Sequence, residues 1–122
     1  MDAELKRIHS PDVYDFESYQ PEWSDNFCFL LQAMIGPAGE DGEESFDIEV
    51  CTPKWIEENL GEGEALIGKH YLIVRIFNYK VIVCAIEKFL LGCSGANWGE
   101  VSKKVSKLGF WEFEAYEDGG HK

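Results

Sequence analysis

No stretch constrains this chain more than Asn26 to Thr52, NFCFLLQAMIGPAGEDGEESFDIEVCT. A nearly continuous apolar run gives way to a Gly- and acid-rich break, and then to clean alternation of apolar and acidic residues. Alternation with period two belongs to a strand, whose successive side chains leave on opposite faces, so Phe46, Ile48 and Val50 turn inward while Asp47 and Glu49 turn outward. NFCFLLQAMIG reads as a strand buried on both faces. GPAGEDGE between them reads as a hairpin loop. A chain that makes this hairpin must build a sheet and cover at least one side of it.

The hairpin runs directly into a helix start. In TPKWIEENLG, Thr52 suits the N-cap, Pro53 the first helical position and Gly61 the stop, giving two turns of helix. Upstream, AELKRIHS reads as a first strand and SPDVYDFESYQPEWSDN as a turn-rich connection over the surface. Downstream, KHYLIVRIF is another β-rich run. Asn78 caps a helix through YKVIVCAIEKFLLGC, with Ile82, Ile86, Phe89 and Cys93 on one face. Asn97 and Glu100 stand in capping-box spacing before an apolar stripe of Trp98, Val101, Val105 and Leu108, and Lys103, Lys104 and Lys107 complement the dipole at its end. GFWEFEAYED closes the fold as a strand with Trp111, Phe113 and Ala115 on one face and Phe110, Glu112, Glu114 and Tyr116 on the other. A flexible tail follows from about residue 118. The expected architecture is α+β: a mostly antiparallel sheet of about five strands with helices packed on one face.

Nothing marks a domain boundary, and 45% apolar residues across 122 positions suit a single domain spanning 1–122. The formal charge of −12 repels phosphate backbones, which disfavours direct nucleic-acid binding, and attracts basic partners. The opening MDAELKRIHS lacks the apolar centre of a signal peptide, and YLIV and VIVCAI are too short to span a bilayer, so a cytoplasmic protein without membrane contact is expected. Cys28, Cys51, Cys84 and Cys93 lie apart in apolar runs and read as reduced thiols. Cys84 and Cys93 on one helix would stand roughly 13 Å apart, too far to share a metal ion. No Gly-rich phosphate loop and no base-assisted nucleophile is visible, and GCSG at 92–95 follows a helix where a nucleophile elbow follows a strand. No catalytic, cofactor or metal site is therefore expected, and the chain does not read as an enzyme.

What remains is a surface. If the strands bearing Asp47, Glu49, Glu112 and Glu114 are neighbours, their carboxylates share the sheet face turned away from the helices. Like charges opposed across strands are unfavourable. One resolution is purely structural, with Arg75, on the face of Tyr71 and Ile73, forming cross-strand ion pairs among them. The other is a docking face for a basic protein, in which Tyr71, Phe110 and Tyr116 provide anchor area and the acids steer encounter. Glu40, Asp41, Glu43 and Glu44 read as acids that keep a loop soluble. A small acidic ligand-binding or regulatory domain, with its pocket between sheet and helices, is the alternative function.

HSPDVYDFESYQPE, FCFLLQAMIGPAGEDGEESFDIEVCTPKWI, GKHYLIVRIFNYK and CSGANWGEVSKKVSKLGFWEFEAY together resemble the Immunity protein 8 family of bacterial polymorphic-toxin and contact-dependent inhibition systems. The resemblance spans nearly the whole chain. Its most specific pieces are VCTPKW, HYLIV and the closing WEFE. It implies a cytoplasmic protein, made by the toxin-producing bacterium, that neutralises one cognate toxin C-terminal domain by stoichiometric binding and without catalysis. Trp55, Trp98 and Trp111, within the shared motifs, are expected in the core. A basic nuclease is the toxin that an acidic inhibitor would suit best.

Overall fold

A computed structural model describes residues 1–114. Tyr116 and the expected tail from residue 118 lie outside the described residues. The elements follow the expected order: β1 (Ala3–His9), β2 (Cys28–Pro37), β3 (Glu44–Cys51), α1 (Pro53–Asn59), β4 (Tyr71–Ile73), α2 (Tyr79–Leu90), α3 (Trp98–Val105) and β5 (Phe110–Trp111). Strands β1, β2 and β3 form an antiparallel meander, and both remaining strands pair with the outer edge of β3. Parallel β4 takes Glu49 to Cys51, and antiparallel β5 takes Phe46 and Asp47.

Local chemistry sets the boundaries. The β2–β3 loop folds back so closely that a Cβ at Gly36 would overlap the Gly42 carbonyl, and Gly42 itself has φ of 108°. Both positions need glycine. Each helix starts on a side-chain cap, where an oxygen of Thr52, Asn78 or Asn97 accepts from the backbone N–H of Trp55, Val81 or Glu100. Glu100 reaches back to accept from the Ala96 N–H at 2.8 Å, one residue before the partner a standard capping box would use.

The core lies between the sheet and the pair α2 and α3. Leu31, Ala33 and Ile35 from β2 and Phe46, Ile48 and Val50 from β3 are fully buried there with Ile82 and Ile86 of α2 and Val101 and Val105 of α3. Leu90, one residue on from the expected Phe89, completes the buried face of α2. Steps of four from Ile82 keep closer to one line on a helix than a step of three would, and Phe89 is left exposed. Helix α1 contributes no buried residue, and its half-buried Trp55 stands outside this core. Trp111 is buried and Trp98 packs partly against the core.

Three expectations need correction. The β2 run is buried on one face only: Phe29, Leu31, Ala33 and Ile35 are covered, whereas Cys28, Leu30, Gln32 and Met34 are half-buried. The connection from Ser10 to Asn26 is turn-rich as expected, yet it sends Val13 and Phe16 into the interior. There the Phe16 ring lies 5.4 Å from that of Phe29 and 5.5 Å from that of Tyr79. The two late strands are also much shorter than KHYLIVRIF and GFWEFEAYED suggest. Strand β4 stops at Ile73 because its partner β3 ends at Cys51, where Thr52 begins the cap of α1. Strand β5 stops at Trp111, opposite Phe46, because the chain turns there, although β3 begins two residues earlier at Glu44.

Candidate docking face

The face of the sheet turned away from α2 and α3 is assembled by register. One row crosses it as His9, Gln32, Asp47 and Phe110, and the next as Leu30, Glu49 and Tyr71. A third row holds Cys28, Cys51 and Ile73. Of the expected site residues, Asp47, Glu49, Tyr71 and Phe110 are therefore brought together. Phe110 is 45% exposed and Ile73 54% exposed, so the carboxylates stand between uncovered apolar side chains.

Glu112 and Glu114 do not join them as strand residues. The chain turns after Trp111, and the alternation of GFWEFEAYED ends with it. Glu112 instead closes the start of β3: its N–H donates to the Ser45 carbonyl at 3.1 Å, and its Oε1 accepts from the Ser45 N–H at 2.7 Å. Glu114 is half-buried beyond that turn. Tyr116, the last of the expected contact residues, lies outside the described residues.

Arg75 is also elsewhere. It follows the end of β4 and lines a surface cleft with Asp25, Pro53, Lys54 and Ile76. Among the described residues, the ion pairs are Lys6 with Glu4 and Arg7 with Glu43, so no cation neutralises Asp47 or Glu49. Glu49 Oε2 accepts from the Cys28 thiol at 3.6 Å. Asp47 Oδ1 is buried with no hydrogen-bond partner among the described residues. Such an oxygen keeps its desolvation cost. The Tyr71 phenol is pushed up by burial, with the Cys51 thiol and the Glu49 carboxylate adding to the effect.

His70 joins the two short strands. Its backbone has φ of 64°, and its carbonyl accepts from the Glu49 N–H at 2.9 Å. The ring Nε2 lies 2.8 Å from the Ser106 carbonyl, and the ring meets Phe110 edge-on at 6.0 Å. Histidine is among the residues enriched in the left-handed region, and its place just before a strand is the signal that was available. Leu30 was also missed as a member of this face.

The loop acids do more than keep a loop soluble. Glu44 Oε1 accepts from the indole N–H groups of Trp98 at 2.6 Å and Trp111 at 3.0 Å, tying β3 to α3 and β5. Glu43 accepts from Arg7 at 2.7 Å.

Among the described residues, no helix is long and apolar enough to cross a membrane, and no group of three or more His, Cys, Asp or Glu side chains could hold a metal ion. The family model described as Immunity protein 8 matches residues 3–116. No curated protein and no solved structure matches the chain.

Proposed function

Because the chain belongs to the Immunity protein 8 family, we propose that it neutralises the C-terminal domain of a cognate bacterial toxin by stoichiometric, non-catalytic binding in the cytoplasm of the cell that makes both. The docking face proposed is the one carrying Asp47, Glu49, Tyr71 and Phe110. One observation carries this assignment: the two carboxylates lie among exposed apolar side chains with no cation of the protein's own beside them, among the described residues.

A basic toxin domain would supply what this surface lacks. Lysines or arginines would meet Asp47 and Glu49, while Tyr71, Phe110 and Ile73 would bury against apolar surface, the usual division between steering charges and aromatic anchors. The net charge of −12 would speed the encounter with such a partner at low salt. Nucleases are basic because they bind phosphate backbones, so a nuclease is the toxin class this charge favours. The alternative, a ligand pocket between sheet and helices, is opposed by fully buried side chains from both layers in that space.

The test is co-expression with the toxin domain encoded beside this chain. Survival and a salt-sensitive complex are expected. Absence of any complex would refute the function, and a complex indifferent to Asp47→Lys with Glu49→Lys would refute the face.

A further inference from the structure

Two thiols on the outer face take no part in the contact set just described. Cys28 and Cys51 are directly opposed in the β2–β3 register. Opposed residues of an antiparallel ladder alternate between pairs that exchange backbone hydrogen bonds and pairs that do not, and the second kind bring their Cα atoms to about 4.5 Å.

Three bonds identify the kind. The Thr52 N–H donates to the Phe27 carbonyl at 3.1 Å, which makes the next pair inward, Cys28 and Cys51, an unbonded one. The Cys51 carbonyl accepts from Val74 N–H at 2.9 Å, on the β4 side. The Leu30 N–H donates to Asp12 Oδ2 at 3.0 Å, also away from β3. The two thiols are close enough to perturb each other's proton affinity. Disulfides span Cα separations of about 4.4 to 6.8 Å, so this pair can close on its existing backbone.

We propose that Cys28 and Cys51 form a dithiol site that is oxidised by low-molecular-weight disulfides to a cross-strand bond between β2 and β3. Cys28 is half-buried and meets the oxidant first, whereas Cys51 is buried beside it. The Cys28 thiolate attacks one sulfur of the oxidant, forms a mixed disulfide and expels one thiolate, which takes up the proton Cys28 lost. Cys51, deprotonated in turn, attacks the Cys28 sulfur and expels the second thiol. The oxidant is reduced to two thiols as the pair is oxidised to one cystine. Burial, with the Glu49 carboxylate adding to it, holds both thiols above their ordinary range, so the exchange is slow near neutrality.

Oxidation has a consequence on the neighbouring acid. Cys28 would no longer donate to Glu49 Oε2, releasing that carboxylate on the face proposed for docking. This consequence rests on the docking role; the disulfide does not.

The test uses the Cys84→Ser, Cys93→Ser variant, incubated with oxidised glutathione at mildly alkaline pH, then unfolded and alkylated with iodoacetamide. The expected product takes up no label, is lighter by two hydrogens, and recovers both thiols with dithiothreitol. Peptide mapping of the oxidised wild-type chain should give the same linkage, which covers the case in which loss of buried Cys93 impairs folding. Two labelled thiols, or glutathione on Cys28 with Cys51 still free, would overturn the proposal. With the disulfide formed, toxin-domain affinity should shift by severalfold; an unchanged affinity would overturn only the Glu49 consequence.

Discussion

The two faces of the β2–β3 hairpin differ in what completes them. The inner face is closed by the protein itself, since Phe46, Ile48 and Val50 pack in one cluster with apolar side chains from α2, α3 and β2. The outer face of the same strands carries Asp47, Glu49, Leu30 and Met34, half-buried on the side turned away from α2 and α3. Burial alone explains the first set. It leaves the second unexplained, because paired carboxylates among uncovered apolar groups contribute little to stability. Side chains a single position apart thus answer to different requirements, folding on one face and partner choice on the other.

The largest expected effect tests that division directly. Phe46 is fully buried and stacks on Trp111 at 6.3 Å, so Phe46→Ala should cost about 3 to 5 kcal/mol in urea unfolding. Phe110, paired with the next residue of β3, should cost about 1 kcal/mol or less on truncation to alanine. Equal losses would abolish the distinction between the faces. The converse comparison uses binding. Asp47→Lys with Glu49→Lys should weaken the toxin-domain complex by roughly a hundredfold, about 3 kcal/mol, in titration calorimetry, while the melting temperature stays nearly unchanged.

A third comparison sharpens what an acid is for. Glu43 and Glu44 are adjacent in sequence, yet one meets an exposed arginine and the other receives two indole donors. Glu44→Ala should cost about 1.5 to 3 kcal/mol, since it strands two partly buried N–H groups from one charged acceptor. Glu43→Ala should cost less than about 1 kcal/mol, the usual scale of an exposed ion pair. Unfolding free energies of the two variants, measured side by side, decide it.

Adjacent acids with such different surroundings also show where the sequence stops speaking. The order of all eight elements was legible because each carried a local signal: period-two alternation in ESFDIEV, Thr-Pro before α1, and Asn caps before α2 and α3. The inner face followed from alternation. The lengths of β4 and β5 were not legible, because they depend on how much of one β3 edge each strand can occupy, a matter of tertiary pairing. With those lengths went the positions of Arg75, Glu112 and Glu114, each beyond the end of its own strand. Composition could not separate Leu30 and Met34 from core either, since an apolar strand reads the same whether one face or both are covered.

The smallest effect expected belongs to the outer face alone and appears at alkaline pH. Cys28, Cys51 and Tyr71 stand together there, and burial raises the proton affinity of all three above ordinary values. The folded state therefore keeps protons that the unfolded chain has already released. Their contribution is fully present below about pH 8.5, where unfolded thiols begin to ionise, and is lost as the pH rises through the raised folded values. Stability should accordingly fall between pH 8 and pH 10.5, modestly, because solvent reaches Cys28 and Tyr71. Cys28→Ser with Cys51→Ser should flatten the part that begins near the ordinary thiol range, and Tyr71→Phe the part that begins near about pH 10, where an unfolded phenol ionises. Urea midpoints across that range separate the two. If both variants lose as much stability as the parent chain, the protons responsible lie on the inner face, at Cys93, whose thiol is also raised by burial but is drawn back down by Lys104 and Lys107.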